Sequence, residues 1–232
     1  MQKDSEVQIH QAYEKRLRTI KVEFFVYRAF ADLLFEQQRH REMLRMLYGY
    51  GFHPLNDCHI LDVGCGNGNL LRQFMHWGGQ PENLCGIELR EEALQIACKL
   101  SPHLDIRCGN AASLPWPKET FDLVVQSTVI TSILDKETRR RVANEMIRVL
   151  KPEGAILWYD FMRDNLWNPD VRGVKKAEIQ ALFPGSAIHL RAITLAPPIA
   201  RRIPQSLLPM FYPLLSSIPF LRTHYLGLFI KP

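Results

Sequence analysis

Three glycines and two carboxylates in the first part of the chain have the types and spacing of a site for a nucleoside-containing ligand. The stretch "LDVGCGNGNL" places Gly64, Gly66 and Gly68 directly after an apolar run. Glycine lets a ligand lie against the main chain, while the N–H groups of a following helix face that ligand. Asp62 precedes the first glycine. Glu88 lies 20 residues beyond Gly68, where a carboxylate can accept hydrogen bonds from ribose hydroxyls.

The glycine spacing and the acidic neighbour separate two classes of ligand. A dinucleotide fingerprint has the pattern G-x-G-x-x-G, whose third glycine would fall at Asn69, whereas this chain has G-x-G-x-G. The carboxylate of Asp62 would repel a pyrophosphate and attract a cation. S-adenosylmethionine (SAM) carries a sulfonium and an ammonium group and no phosphate. The charge pattern therefore favours SAM, and a nicotinamide-dependent oxidoreductase is the weaker alternative.

Short β-rich runs alternate with helical runs from Pro54 onward, which predicts an α/β fold. Such alternation is typical of a parallel sheet that is covered by helices on both faces. Before that point, apolar residues recur every three or four positions over residues 6–48 and stop at Gly49, which predicts a helix. We therefore expect an N-terminal helical cap or lid over residues 1–53 and a ligand-binding domain over residues 54–232.

The glycine loop is the first of four stretches, which read "LDVGCGNG", "GIEL", "CGNAASLPWPKETFDLVV" and "MIRVLKPEGAILWYD". Together and in this order they resemble the motifs of class I SAM-dependent methyltransferases, from about Cys58 to Phe183. The resemblance implies a Rossmann-like three-layer sandwich with a mostly parallel seven-stranded sheet. The implied strand order is 3-2-1-4-5-7-6, with strand seven antiparallel. It also implies methyl transfer from SAM, with S-adenosylhomocysteine as the product.

The same resemblance assigns cofactor contacts to residues near the ends of the first four strands. It implies that the glycines line the methionine portion, Glu88 the ribose, and Asn110 with Ala111 the adenine. The family often has Asp where Asn110 stands, but an amide oxygen can also accept from the adenine amino group. Asp62 either contacts the ligand or accepts hydrogen bonds from backbone amides of the loop. The expected cofactor-binding residues are Asp62, Gly64, Cys65, Gly66, Gly68, Glu88, Leu89, Asn110, Ala111 and Gln126.

Residues after the fifth strand and at the start of the seventh lie on the expected ligand face. Methyl transfer to a hydroxyl needs an oriented acceptor and a base. Asp160, which closes strand five, and His224, which opens strand seven, are the candidate catalytic bases. Asp160 could instead cap the next turn, and His224 could be an ordinary sheet-edge histidine. Tyr159, Arg163 and Trp167 are candidate substrate-binding residues.

Residues 197–222 combine apolar side chains with six prolines and three arginines. We expect a lid-like insertion over the active face. Two alternatives stay open, namely an added wall of the core and a peripheral contact with an anionic membrane. The aromatic residues Phe24, Phe25, Tyr27 and Phe30 could form the opposite wall. Two apolar walls favour a small-molecule, lipid-linked or glycan-linked acceptor, methylated at oxygen.

Composition and charge argue against several other classes. The chain of 232 residues has a net charge of +5, but its basic residues are scattered, so no nucleic-acid partner is expected. The five cysteines show no CxxC spacing, which favours reduced thiols, and no metal site is expected. No apolar run approaches the ~20 residues of a membrane span, and residues 1–30 lack a secretory-signal pattern, so a cytoplasmic location is expected. The oligomeric state stays open, as does SAM binding for regulation without catalysis.

Overall fold

The computed structural model describes Val7, Gln11 and residues 30–164 and 168–232. The strands in these ranges are β1 (Ile60–Val63), β2 (Leu84–Glu88), β3 (Asp105–Cys108), β4 (Phe121–Ser127), β5 (Leu150–Phe161), β6 (Ala187–Leu195) and β7 (Arg222–Ile230). These seven strands of the described residues form one sheet in the order β3-β2-β1-β4-β5-β7-β6. Neighbours pair in parallel except β7, which is antiparallel to both β5 and β6. The predicted strand order and antiparallel strand seven are confirmed.

Helices cover both faces of this sheet. Along each strand, successive side chains point to opposite faces. In β4, Val124 packs in a first core with helices α4 and α5, whereas Leu123 and Val125 pack in a second core with helices α1 and α2. This arrangement is the expected three-layer sandwich. The helices are α1 (Phe30–Gly49), α2 (Asn69–His76), α3 (Glu91–Leu100), α4 (Lys136–Val149), α5 (Lys176–Leu182), α6 (Pro197–Ala200) and α7 (Leu208–Ser217).

Helix α1 is the described part of the predicted N-terminal helix. Its Met43 and Leu47 are buried in the second core, so this stretch packs directly on the sheet. The division of the chain at residue 53 stays a prediction. No helix in the described ranges is long and apolar enough to cross a bilayer. Outside the described residues lie positions 1–6, 8–10 and 12–29, with Phe24, Phe25 and Tyr27.

A fully buried arginine, Arg139 on α4, holds two loops at the carboxyl edge of the sheet. Its Nε donates to the carbonyl of Ile133 at 2.6 Å, just after the 3-10 turn Ile130–Ser132. One terminal nitrogen donates to the carbonyl of Arg172 at 2.8 Å, and the other pairs with Glu178 at 2.8 Å. A buried guanidinium is costly without partners, so these acceptors stabilise the charge while the charge keeps both loops in place.

We expect Arg139→Met to lower the free energy of unfolding by about 2–4 kcal/mol, because two loop carbonyls and Glu178 lose their buried donor. Urea denaturation at neutral pH measures the change. Arg140→Met is the matched control on the same helix, since Arg140 is 67% exposed and pairs with Glu137 at the surface. The control should change stability by less than ~0.5 kcal/mol. Equal losses in both variants would contradict the role assigned to Arg139.

Candidate functional site

Three cavities open side by side at the carboxyl edge of the sheet, and Thr128 lines all of them. The first, of about 250 Å³, follows the ends of β1 and β2 and is called the β1–β2 cavity. The second, of about 540 Å³, lies between the first two helices and is called the α1–α2 cavity. The third, of about 240 Å³, lies over the ends of β5 and β7 and is called the β5–β7 cavity. Their characteristic residues are Gly66 and Glu88 for the first, Asp62 and Cys65 for the second, and Tyr159 and His224 for the third.

Thr128 has a backbone conformation that is unusual for its residue type. Its φ of 61° lies in the left-handed region, which a β-branched residue adopts only when the surroundings impose it. The Thr128 N–H donates to the carbonyl of Tyr159 at 2.8 Å, which ties the end of β4 to the end of β5. The chain therefore turns sharply at the point where the three cavities meet.

Two glycines of the loop after β1 are required for different physical reasons. Gly64 has φ +70°, and a Cβ there would lie 2.5 Å from Cγ2 of Val129, so the protein itself excludes a side chain. Gly66 has φ +57°, but a Cβ there would have no atom within 4 Å. Both residues line the β1–β2 cavity. A side chain at Gly66 would fill cavity space that a ligand could otherwise occupy.

Glu88 holds the glycine loop against the end of β2. One carboxylate oxygen accepts from the Gly66 N–H at 2.9 Å, and the other accepts from the N–H and Nε of Arg90 at 2.9 and 3.0 Å. The residue is 6% exposed and lines the β1–β2 cavity. The carboxylate therefore orders the loop and also faces the cavity, where the sequence predicts a contact with ribose.

The lining of the β1–β2 cavity also includes Leu89, Asn110 and Ala111. The Oδ1 atom of Asn110 accepts from the Ala112 N–H at 2.8 Å, which is the hydrogen bond of an Asx turn. Asn110 therefore shapes the turn as well as lining the cavity.

Two residues of the predicted cofactor set, Gly68 and Gln126, do not line any of the three cavities. Gly68 has φ +77° and precedes α2, and it is absent from the linings of the three cavities. Gln126 is fully buried, and its Oε1 accepts from the Val129 N–H at 3.1 Å. The Gly68 N–H donates to the carbonyl of Cys65 within the glycine loop, and Gln126 holds the loop after β4 through Val129.

The sheet face under α1 brings four polar or ring side chains into one row. The four lie at or near the carboxyl edge of the sheet, and they are Asp62 on β1, Ser127 on β4, Tyr159 on β5 and His224 on β7. Ser127 and Tyr159 are register partners, and His224 is the partner of Phe161. This row connects the α1–α2 cavity with the β5–β7 cavity.

Arg39 of α1 lies over this row and lines both of these cavities. One terminal nitrogen donates to Oγ of Ser127 at 3.1 Å, and the other pairs with Glu36. The guanidinium lies 5.3 Å from the ring centroid of Tyr159, in a cation–π arrangement. Its Nε is buried and has no hydrogen-bond partner among the described residues. Arg39 was missed from sequence, although the Glu36–Arg39 pair at i, i+3 was a signal that this helix face carries charge.

The two titratable residues of the predicted cofactor set that line the α1–α2 cavity, Asp62 and Cys65, are held in their uncharged forms. Burial raises the pKa of Asp62 to about 8, although Arg39 opposes the shift. Burial also raises the pKa of the Cys65 thiol, so this cysteine is no thiolate nucleophile at neutral pH. Asp62 therefore gains most from a cationic ligand, which would favour its ionised form.

His224 lines the β5–β7 cavity as a buried and neutral ring. It is 4% exposed, stacks on Tyr159 with centroids 4.7 Å apart, and lies 4.0 Å from the ring of Phe161. Its Nδ1 lies 3.0 Å from Oγ1 of Thr223. Burial lowers the pKa of His224 to about 3, and the charge of Arg39 acts in the same direction. A neutral imidazole can accept a proton from a bound acceptor.

Tyr159 shares the β5–β7 cavity, whereas Asp160 lies on the opposite face of β5. The Tyr159 hydroxyl is 2.9 Å from Oγ1 of Thr194, and burial raises its pKa to about 12, so the phenol stays protonated. The fully buried carboxylate of Asp160 accepts from the hydroxyl and N–H of Thr131 and from the Phe161 N–H. Burial raises the pKa of Asp160 to about 6.

Asp160 lines none of the three cavities, so its geometry does not support the predicted role as a base. Its contacts are those of the alternative, a residue that holds the turn containing Thr131. The predicted substrate residue Arg163 is exposed and also absent from the cavity linings. Trp167 lies outside the described residues.

Comparison with known proteins agrees with this fold. Residues 60–154 match the family model described as a methyltransferase domain. A SAM-dependent methyltransferase from Methanosarcina mazei has a similar structure, with a TM-score of 0.61 and 17% identity over 80% of this chain and 96% of that one. Residues 60–154 therefore match a methyltransferase domain, and the chain shares its fold with a SAM-dependent methyltransferase of known structure.

Two curated relatives show sequence similarity over part of the chain. A demethylmenaquinone methyltransferase from Symbiobacterium thermophilum is 31% identical over 124 residues, which are 51% of this chain and 46% of the relative. A sterol 4-C-methyltransferase from Caenorhabditis elegans is 29% identical over 147 residues, which are 59% of this chain and 42% of the relative. The chain thus aligns with less than half the length of either relative.

We expect His224 to make the protein less stable as the pH falls. In the unfolded chain the histidine binds a proton near its ordinary pKa of 6.5, whereas the folded residue does so only near 3. Between these values the unfolded state takes up the proton first, so the free energy of unfolding falls by at most about 1.4 kcal/mol per pH unit. His224→Phe should flatten this dependence between pH 6.5 and 5, as measured by urea denaturation.

The control is His103→Phe, because His103 is exposed and outside all three cavities. It should leave the pH dependence as in the wild type. A His224→Phe variant with an unchanged slope would show that the buried imidazole is not held neutral.

Proposed function

We propose that this protein is a SAM-dependent methyltransferase that acts at oxygen on a small-molecule, lipid-linked or glycan-linked acceptor. The observation that carries the proposal is the meeting of the three cavities at Thr128. Two of them have the bare main chain and carboxyl groups that suit a positively charged nucleoside ligand. The third has the aromatic walls and the neutral imidazole that suit an acceptor.

The residues that are present fit SAM as the methyl donor. The main chain of Gly66 has open space beside it, and Gly64 lines the same cavity. The other residues of this lining that the sequence predicts are Glu88, Leu89, Asn110 and Ala111. In the adjoining cavity, the buried carboxyl of Asp62 suits an ammonium group better than a phosphate. When bound, SAM supplies an activated methyl group and leaves as S-adenosylhomocysteine. Gly68 and Gln126 support the loops from behind.

The residues of the β5–β7 cavity favour an acceptor with an acidic hydroxyl, such as a phenol or an enol. The aromatic rings of Phe35, Tyr159 and Phe161 line the cavity and suit a flat apolar group. His224 takes the hydroxyl proton on its neutral ring. Because its pKa is low, His224 is a weak base, and it needs an acceptor whose oxyanion is stabilised.

The guanidinium of Arg39 provides that stabilisation. It lines the acceptor cavity and carries the same charge that lowers the pKa of His224. The charge of Arg39 therefore makes His224 a weaker base, but it also stabilises the oxyanion that forms when the acceptor hydroxyl loses its proton. These two effects on the proton transfer oppose each other. The names of the two relatives agree with a large ring-containing acceptor of low polarity, whereas the name of the sterol enzyme gives carbon as the methylated atom. The choice of oxygen rests on His224 and Arg39 in the β5–β7 cavity.

The segment 197–222 acts as the lid of the acceptor cavity in this proposal. Pro197 lines the β5–β7 cavity. Tyr212 on α7 packs against Phe35 with centroids 5.7 Å apart, and its hydroxyl donates to Oε1 of Gln38 at 2.6 Å. These contacts join the segment to α1, so the two elements close one side of the cavity together. A cap over residues 1–53 would extend this wall.

Gly66→Ala tests the placement of the cofactor. We expect the affinity for SAM, measured by calorimetry, to fall at least ~10-fold because the methyl group occupies the ligand's space. Gly185→Ala is the control, since Gly185 also has a positive φ and open space around its Cβ, but lies outside the cavities. Both variants should lose about 1 kcal/mol of stability through the left-handed backbone.

Only Gly66→Ala should lose affinity for SAM, and neither the wild type nor the variants should bind NAD tightly. Tight binding of NAD with no response to SAM would overturn the proposal in favour of a nicotinamide-dependent oxidoreductase. Unchanged SAM affinity in Gly66→Ala would contradict the placement alone.

Methyl-labelled SAM and fractionated cell extracts test the acceptor class. We expect label in the lipid or small-molecule fraction, and a rate that falls about 10²–10⁴-fold in His224→Asn while the affinity for SAM is kept. His103→Asn is the control and should keep the wild-type rate. Label in nucleic acid would contradict the acceptor class. Binding of SAM with no labelled fraction would favour a regulatory SAM-binding protein.

A further inference from the structure

The outer face of α7 and the turn after it expose four large apolar side chains to water. Leu207, Met210, Leu214 and Phe220 are 44%, 64%, 62% and 70% exposed. The spacing of the first three places them on one side of the helix. Eight large apolar side chains are exposed among the described residues, and these four are half of them. They are called the α7 face below.

The α7 face belongs to a helix that is firmly anchored on its other side. Leu208 and Tyr212 are buried there, in a cluster that also contains Ala31 of α1 and Leu195 of β6. Arg222 donates to the carbonyls of Ser216 and Ser217 at 2.7 and 2.8 Å and so caps the end of the helix. The outward apolar side chains are therefore a fixed feature of the surface.

The charge around the α7 face has one sign along the sequence. Glu178 is the last acidic residue, and residues 179–232 contain five basic residues and no acidic one. This stretch alone accounts for a charge of +5, which equals that of the whole chain. Helix α7 itself carries no charged residue, and the exposed residues Arg201 and Arg202 precede it. Arg201 also pairs with Asp32 of α1 at 2.8 Å.

Exposed apolar side chains on a helix, preceded in sequence by exposed arginines, share features with segments that lie in a membrane interface. The charges of residues 179–232 are all basic, which suits an anionic surface better than the generally polar rim of a protein interface. We propose that the α7 face inserts its four apolar side chains into the surface of a lipid bilayer that contains anionic lipids, with Arg202 at the level of the headgroups.

This surface is next to the acceptor cavity. The inner side of α7 packs on Phe35, which lines the β5–β7 cavity, and Pro197 of the same segment also lines it. A docked bilayer would therefore lie beside the segment that closes the cavity. An acceptor could then pass from the bilayer to the β5–β7 cavity, and this step rests on the proposed function. The binding of the α7 face to the bilayer does not rest on the proposed function.

Flotation of the full chain with vesicles tests the proposal. The probes are phosphatidylcholine vesicles with and without phosphatidylglycerol. We expect the wild type to float with the anionic vesicles, and less so at high salt. The double variant Met210→Ser with Leu214→Ser should lower the partition coefficient at least ~10-fold. Arg202→Gln should lower it about 5-fold on the anionic vesicles only.

Leu100→Ser is the matched control, because Leu100 is 43% exposed at the end of α3, outside the α7 face. It should float like the wild type. Equal flotation of the double variant and the wild type would overturn the proposal. A second result would also overturn it: the wild type does not float with the vesicles, and light scattering shows a wild-type dimer that dissociates in the double variant. A second copy of the chain, and not a bilayer, would then cover the α7 face. SAM affinity measured on the same samples separates this result from a failure of the proposed function.

Discussion

The hydrogen bond from the Gly66 amide to the Glu88 carboxylate is the contact on which the rest of the site depends. It links the loop after β1 to the end of β2, and it requires the left-handed backbone of the glycine loop. The parallel pairing of β1 with β2 brings these two strand ends to the same edge of the sheet. The loop is thereby held open beside the cavity, with its main chain available to a ligand.

One partly buried cation, Arg39, connects the α1–α2 cavity with the β5–β7 cavity. Arg39 binds Ser127 at the end of β4 and lies over the ring of Tyr159 on β5. Its charge opposes the raised pKa of Asp62 on one side and adds to the lowered pKa of His224 on the other. Changes in charge in either cavity are therefore coupled through a single side chain. The proposed donor and acceptor sites therefore cannot be tuned independently.

The alternation of side chains along a strand explains which predicted residues line the cavities. Asp62, Tyr159 and His224 point to the sheet face under α1, where two of the cavities lie. Asp160 and Gln126 point to the other face, where their polar groups hold adjacent turns. Asp160 lies near the end of β5, at the carboxyl edge of the sheet. A one-residue difference in position decides whether it faces the ligand or supports a loop.

The sequence by itself determined the order of the elements, the class of sheet and the glycine and carboxylate pattern after β1 and β2, because these follow from local periodicity and short spacings. Only the tertiary structure placed Arg39 against Ser127 and Tyr159, residues that are far apart along the chain. It alone also showed that α7 buries Tyr212 and exposes Met210. Such contacts depend on how elements that are distant in the sequence pack together. Because α7 has apolar residues on both sides, the sequence alone does not indicate which side is buried.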